Sequence, residues 1–179
     1  MRNVLLGVGI SLDGYIARKD GSVDFLFMPK DYSMAPFFER IDAAIMGRKT
    51  WDVSKSMGGG SFGPSIKTYV MSKTVSAGTQ KGITFTSDSP RTVVAEIRRQ
   101  PGKDIWLMGG GELAAAFLQE DLIDELHLGI VPCVLGGGLP LFPPGFPQRD
   151  FDLVESKTYS KGLLTVQYKR TAKKRARKS

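Results

Sequence analysis

The 179-residue sequence has one cysteine and one histidine and no internal repeat, and none of its apolar runs approaches the ~18 residues that cross a membrane. A lone thiol excludes a disulfide framework within the chain. A core of this size needs none, since roughly two thirds of the unfolded surface can be buried. A reducing compartment, the cytoplasm, is the expectation. His127 has no second histidine or cysteine at ligand spacing, so a structural role is expected for it and no metal centre. Cys133 follows Pro132 in an apolar run and reads as a small buried hydrophobe. The apolar run Val4 to Leu12 is preceded by one charge, Arg2, and followed by Asp13-Gly14, so it reads as a strand and not a signal peptide.

Acid is missing from the last eleven residues, which carry seven of the 25 basic side chains and leave the rest balanced at 18 of each sign. The pI of 9.6 therefore reports a basic tail, 171–179, on a neutral body. A solvated, disordered terminus is expected there, and nucleic acid is not the favoured partner.

What is present is an ordinary mixture, 41% hydrophobic and 24% charged, as one compact domain requires. Asn3 to Ile10 is apolar without alternation, the pattern of a strand covered on both faces. A long loop, Ser11 to Lys30, follows, then a short helix Ala35 to Ile41, a strand Ala43 to Met46 and a helix from Arg48. Gly58 to Pro64 reads as a flexible loop. Strands are expected at Thr68 to Met71 and Ile83 to Thr86. Ser89-Pro90 supplies a cap and first-turn proline for a helix ending before Pro101. Then come strand Ile105 to Met108, helix Glu112 to Glu120, and strand Glu125 to Val131. Phe151 to Thr158 and Leu163 to Arg170 form a hairpin through Ser160-Lys161-Gly162. The order implies an α/β, three-layer αβα sandwich around a mixed, mostly parallel sheet with a C-terminal antiparallel hairpin.

The chemistry-bearing signals lie at strand ends. Met108-Gly109-Gly110-Gly111-Glu112-Leu113-Ala114 carries Gly109, Gly111 and Ala114 at the spacing of a phosphate-binding corner between strand and helix. The same glycines equally suit a tight turn without a ligand. Gly47-Arg48-Lys49-Thr50 offers helix amides, two cations and a hydroxyl for an anion. Ser72-Lys73 ends a third strand. Ligands of open α/β sheets bind at such ends, and Arg48, Ser72 and Lys73 suit a 2′-phosphate, so NADPH is favoured over NADH. Asp124 and Glu125 are adjacent and point to opposite faces, and Trp51 and Trp106 are expected in the core.

The chain resembles the dihydrofolate-reductase-like superfamily, in particular stand-alone relatives of the C-terminal reductase domain of the riboflavin-biosynthesis deaminase-reductase. Four segments carry the resemblance: Ser11-Leu12-Asp13-Gly14-Tyr15-Ile16-Ala17, Ile45-Met46-Gly47-Arg48-Lys49-Thr50, Met108 to Leu113, and Ile123 to Leu128 with Pro132 and Leu135-Gly136-Gly137-Gly138. It implies one reductase domain over 1–170 and an NADPH-dependent enzyme. Gly9 and Ile16 would line the nicotinamide pocket. Gly47, Arg48, Thr50, Ser72 and Lys73 would hold the adenosine end, and Gly109 to Leu113 the pyrophosphate, with a cis peptide at Gly109-Gly110. Residues 17–30 would form a flap. Asp31 is the candidate proton donor and Asp13 a candidate ligand of the small-molecule substrate. Ile66, Gly129 and Met108 replace the arginine, threonine and glutamate expected by comparison with folate and riboflavin reductases. A homodimer is expected. The alternatives are a non-catalytic NADP-binding module, dihydrofolate reductase proper, and a nucleic-acid-binding protein using the basic tail.

Overall fold

The computed structural model describes residues 1–56, 58, 62–63, 65–80 and 82–171. Most of the basic tail, 172–179, lies outside the described residues, as does much of the Gly58 to Pro64 loop.

Apolar runs without alternation need cover on both faces, and the chain places them in the middle of one sheet. β1 (Val4–Ser11) lies between β7 (Asp104–Gly109) and β8 (Glu125–Val131), parallel to both. Beyond β7 come β3 (Ile41–Gly47), β4 (Lys67–Met71) and β6 (Ile83–Thr86), also parallel. The hairpin β10 (Phe151–Thr158) and β11 (Leu164–Arg170) adds antiparallel strands beside β8. β5 (Gly78–Gln80) closes the other edge of this nine-stranded sheet, antiparallel to β6.

Alternation along each strand sorts side chains between two helical layers. On one face Leu6, Ile45, Ile105 and Leu107 meet α3 (Pro90–Arg98) and α4 (Gly111–Gln119) through Val93, Ile97, Ala114 and Phe117. On the other, Ala44 and Trp106 meet Phe37 and Phe38 of α1 (Ala35–Arg40). Met46 and Val70 meet Trp51 of α2 (Arg48–Ser56) on that same side. The three-layer αβα arrangement expected from the order of elements is the one observed. Trp106 is buried, whereas Trp51 and Cys133 are only half-buried.

The structure differs from expectation at short elements. α1 ends at Arg40, and Ile41 is already extended and opens β3. β5 is three residues long, and a second, two-stranded sheet pairs β2 (Tyr15–Ala17) with β9 (Leu139–Pro140). Strands this short have too few residues to show a period of two. They are fixed by what their backbones pair with.

Candidate active site

The parallel strands β4, β3 and β7 are neighbours, so their carboxyl ends open side by side. β3 runs directly into α2 at Gly47-Arg48, and only Gly110 separates β7 from α4. Met46 is in register with Gly109. A Cβ on Gly47 would lie 4.0 Å from the Gly109 carbonyl oxygen, and one on Gly110 would lie 3.5 Å from Thr50 Oγ1 and 3.7 Å from Ile16 Cδ1. The two glycine corners, Thr50 and Ile16 therefore meet at one place. Gly109 has φ of 99°, a conformation that side chains resist, and the Gly109–Gly110 peptide is cis, as the resemblance implies.

The corner suits an anion. The first amides of a helix have no partner inside it, and Gly110 at the start of α4 supplies no side-chain cap. The helix dipole adds positive potential at the same point. Glu112 in the first turn of α4 is exposed, Leu113 is packed against the core, and Met108 packs in the aromatic cluster behind the corner.

The flanking polar residues are placed unequally. Lys49 and Lys73 are exposed. The Arg48 guanidinium lies over the Trp51 ring and its Nε is 2.9 Å from both oxygens of Asp52, so it is held on its own helix. Ser72 is buried, and its Oγ accepts the amides of Thr74 and Val75 at 3.2 Å, which fixes the turn after β4.

Gly9 stands on β1 beside Gly129 of β8, facing the long loop. A Cβ there would touch Leu26 at 3.0 Å, so the loop lies over the glycine floor. This loop is tied to the β10–β11 turn at its far end. Asp31 accepts hydrogen bonds from the Ser160 amide at 2.8 Å and its hydroxyl at 2.7 Å, and Tyr32 meets Tyr159 edge-on.

That arrangement gives both candidate carboxylates other work. Asp31 is exposed, and the Ser160 hydroxyl and amide hold it below the usual carboxylate range, so its carboxylate is engaged with the β10–β11 turn. Asp13 accepts a hydrogen bond from Ser11 Oγ at 2.6 Å and from the amides of Leu135 and Gly136 at 3.1 and 2.8 Å. Its pKa is lowered, first by the Ser11 hydroxyl. Sequence reasoning missed the residues that engage Asp13 and Gly111, namely Ser11, the Leu135 and Gly136 amides and the Pro140 carbonyl. The Leu135 to Gly138 segment was visible as a glycine cluster, but nothing local said what it touches.

On the same face of β8 as Gly129, His127 packs beside Phe37 with Nε2 2.9 Å from Glu125 Oε2. Asp124 turns the other way, toward Arg98 and the Val4 amide. A cavity of about 530 Å³ lined by Phe38, Ile41, Phe62, Ile66 and Lys103 lies at the opposite, amino end of β3 and β7, away from the glycine corners. Among the described residues no group of three or more His, Cys, Asp or Glu side chains is placed to hold a metal. No helix among them is long and apolar enough to cross a membrane.

A mostly parallel sheet between two helical layers, with a glycine corner joined across β3 and β7, defines an α/β protein of dihydrofolate-reductase-like fold. More particularly, the chain belongs to the RibD C-terminal domain family, whose model matches residues 2–165. An uncharacterized Bacillus subtilis (strain 168) protein, YyaP, is 33% identical over 178 residues, covering 93% of this chain and 94% of its own. A protein from Shewanella sp. PV-4, provisionally named for riboflavin biosynthesis, superposes with a TM-score of 0.82 at 29% identity, over 96% of this chain and 100% of that one. The Thermotoga maritima diaminohydroxyphosphoribosylaminopyrimidine deaminase/5-amino-6-(5-phosphoribosylamino)uracil reductase shares the fold, with a TM-score of 0.71 at 16% identity. This chain matches 57% of its length.

Proposed function

We propose that the chain is an NADPH-dependent reductase that delivers hydride to a C=N or C=O carbon of a pyrimidine, pterin or ribosylamine-type substrate. The observation that carries this reading is the meeting of Gly47 and Gly109-Gly110 beside Thr50, with α4 beginning at the same point. A corner without side chains lets backbone approach a diphosphate, and the α4 amides supply the donors. Bound NADPH would supply the hydride. The chain's own residues would bind and orient it: Gly47, Thr50 and Gly109 to Leu113 around the diphosphate, Arg48, Lys49, Ser72 and Lys73 toward the 2′-phosphate, and Gly9 and Ile16 beside the nicotinamide. The loop carrying Leu26 would exclude water from the glycine floor.

Within this class, reduction of the phosphoribosylaminopyrimidine of riboflavin synthesis is the activity that the Thermotoga relative's name supports. Folate is disfavoured because Ile66, which stands where folate reductases would carry an arginine, is itself apolar and buried beside Phe38 and Trp106. Action in the cytoplasm as a homodimer belongs to the same reading. A second reading, an NADP-binding module without turnover, draws support from the engagement of Asp13 and Asp31 in main-chain hydrogen bonds, which leaves neither as an acid over Gly9.

Titration of the purified protein with NADPH and NADH tests both. Micromolar affinity with preference for the phosphorylated form is expected, weakened by Lys73→Ala and Arg48→Ala. Absence of binding to either nucleotide defeats the proposal. Binding without turnover of pyrimidine or pterin substrates selects the second reading.

A further inference from the structure

The Ser11-Leu12-Asp13-Gly14 turn reaches a segment 122 positions later in the chain. Ser11 is fully buried, and its Oγ accepts the Tyr15 amide at 3.0 Å while donating to Asp13. The Asp13 carboxylate in turn accepts the amides of Leu135 and Gly136. Four residues further on, the same segment becomes β9. There Pro140 pairs with Tyr15, and the Leu141 amide donates to the Gly14 carbonyl at 2.9 Å. On its other side β9 presses on the candidate cofactor corner, because the Pro140 carbonyl oxygen occupies the space that a Cβ on Gly111 would need. The segment is thus held between a carboxylate at one end and the first residue of α4 at the other.

We propose that Asp13 is a positioning residue: by stapling the Leu135–Gly136 turn it sets where β9 bears on Gly111, and so aims the first amides of α4. This assignment rests on the reading of that corner as the cofactor site, but the mechanical part stands on geometry alone. A carboxylate suits the task because three donors converge on it, namely one hydroxyl and two amides, and charge-assisted hydrogen bonds of this kind are the strong ones. An asparagine keeps one acceptor oxygen and turns an N–H₂ group toward the remaining donors. An alanine leaves all three unanswered.

The test uses the full chain and measures amide hydrogen exchange and NADPH affinity in D13A, D13N and S11A, with D124A as reference. Asp124 also accepts a main-chain amide, that of Val4, but at the amino end of β1. D13A and D13N are expected to speed exchange of the Leu135, Gly136, Leu141 and Ala114 amides, which are hydrogen-bonded in the wild type, at least tenfold and to weaken NADPH binding at least tenfold, with S11A intermediate. D124A is expected to lower the urea midpoint and leave both readouts unchanged. Should D13A fail to fold, D13N and S11A decide the matter. Exchange at Leu141 and Ala114 that responds no more to the Asp13 variants than to D124A overturns the proposal. A wild type that binds no NADPH, with the exchange pattern as expected, defeats the cofactor reading and leaves the staple in place.

Discussion

His127 sits on β8 with Phe37 edge-on at 5.5 Å and Glu125 Oε2 2.9 Å from its Nε2. Burial lowers its pKa, and Glu125 only partly opposes that. The unfolded imidazole therefore takes a proton near pH 6.5 while the folded one waits for lower pH, so the unfolded state binds more protons in between. Stability falls as pH drops through that window. Glu125 acts further down: burial raises its pKa, but the hydrogen bonds from Arg40 and His127 outweigh this and lower it overall. Its contribution is present above the ordinary carboxylate range and is lost as pH falls beneath it. The urea midpoint should be higher at about pH 7.5 than at about pH 5.5, and His127→Phe should shrink that difference. An undiminished difference in the variant would place the acid sensitivity elsewhere.

Between β6 and α3 the backbone is governed by two adjacent residues. Ser89 Oγ accepts the Thr92 amide at 3.2 Å, and Pro90 fills the first helical position, where no amide is needed. Ser89→Ala should cost about 1 kcal/mol of unfolding free energy, read from urea curves, and Ser89→Asn should recover most of it. This start was legible in the sequence because cap and helix are contiguous. The long apolar strands and the glycine corners were legible for the same reason: each carries its signal within a few residues. β2 and β9 were not, since neither has a pattern of its own and each exists by pairing with the other. Asp13 and Asp31 were recognised as polar residues worth a role, but their roles depend on Gly136 and Ser160, 123 and 129 positions away. Local spacing carries no information about partners at that range.

At the scale of the molecule the sheet has two chemically different ends. The amino ends of the parallel strands are bound by a charged network, and the carboxyl ends carry the glycine corners. Arg2, nearly buried ahead of β1, donates to the Lys103 carbonyl at 2.6 Å, to the Ile97 carbonyl in the last turn of α3 at 3.0 Å, and to Asp42 of β3. Arg98 returns from α3 to the Arg2 carbonyl at 2.9 Å and to Asp124 at 2.8 Å. Arg40 joins Asp104 of β7 to Glu125 of β8. Arg2→Met preserves the apolar stem but removes the guanidinium that donates to the carbonyls of Ile97, Gln100 and Lys103 and to the Asp42 carboxylate, a loss of about 3 kcal/mol. The cost should appear in full as a lower urea midpoint. NADPH affinity, measured where the variant is still folded, should stay within about twofold of wild type, because effects at separate sites without shared partners are independent. Loss of affinity in step with stability would mean that the two ends of the sheet move together, and that the corner is held by the strands as a whole and not by β9 and its staple.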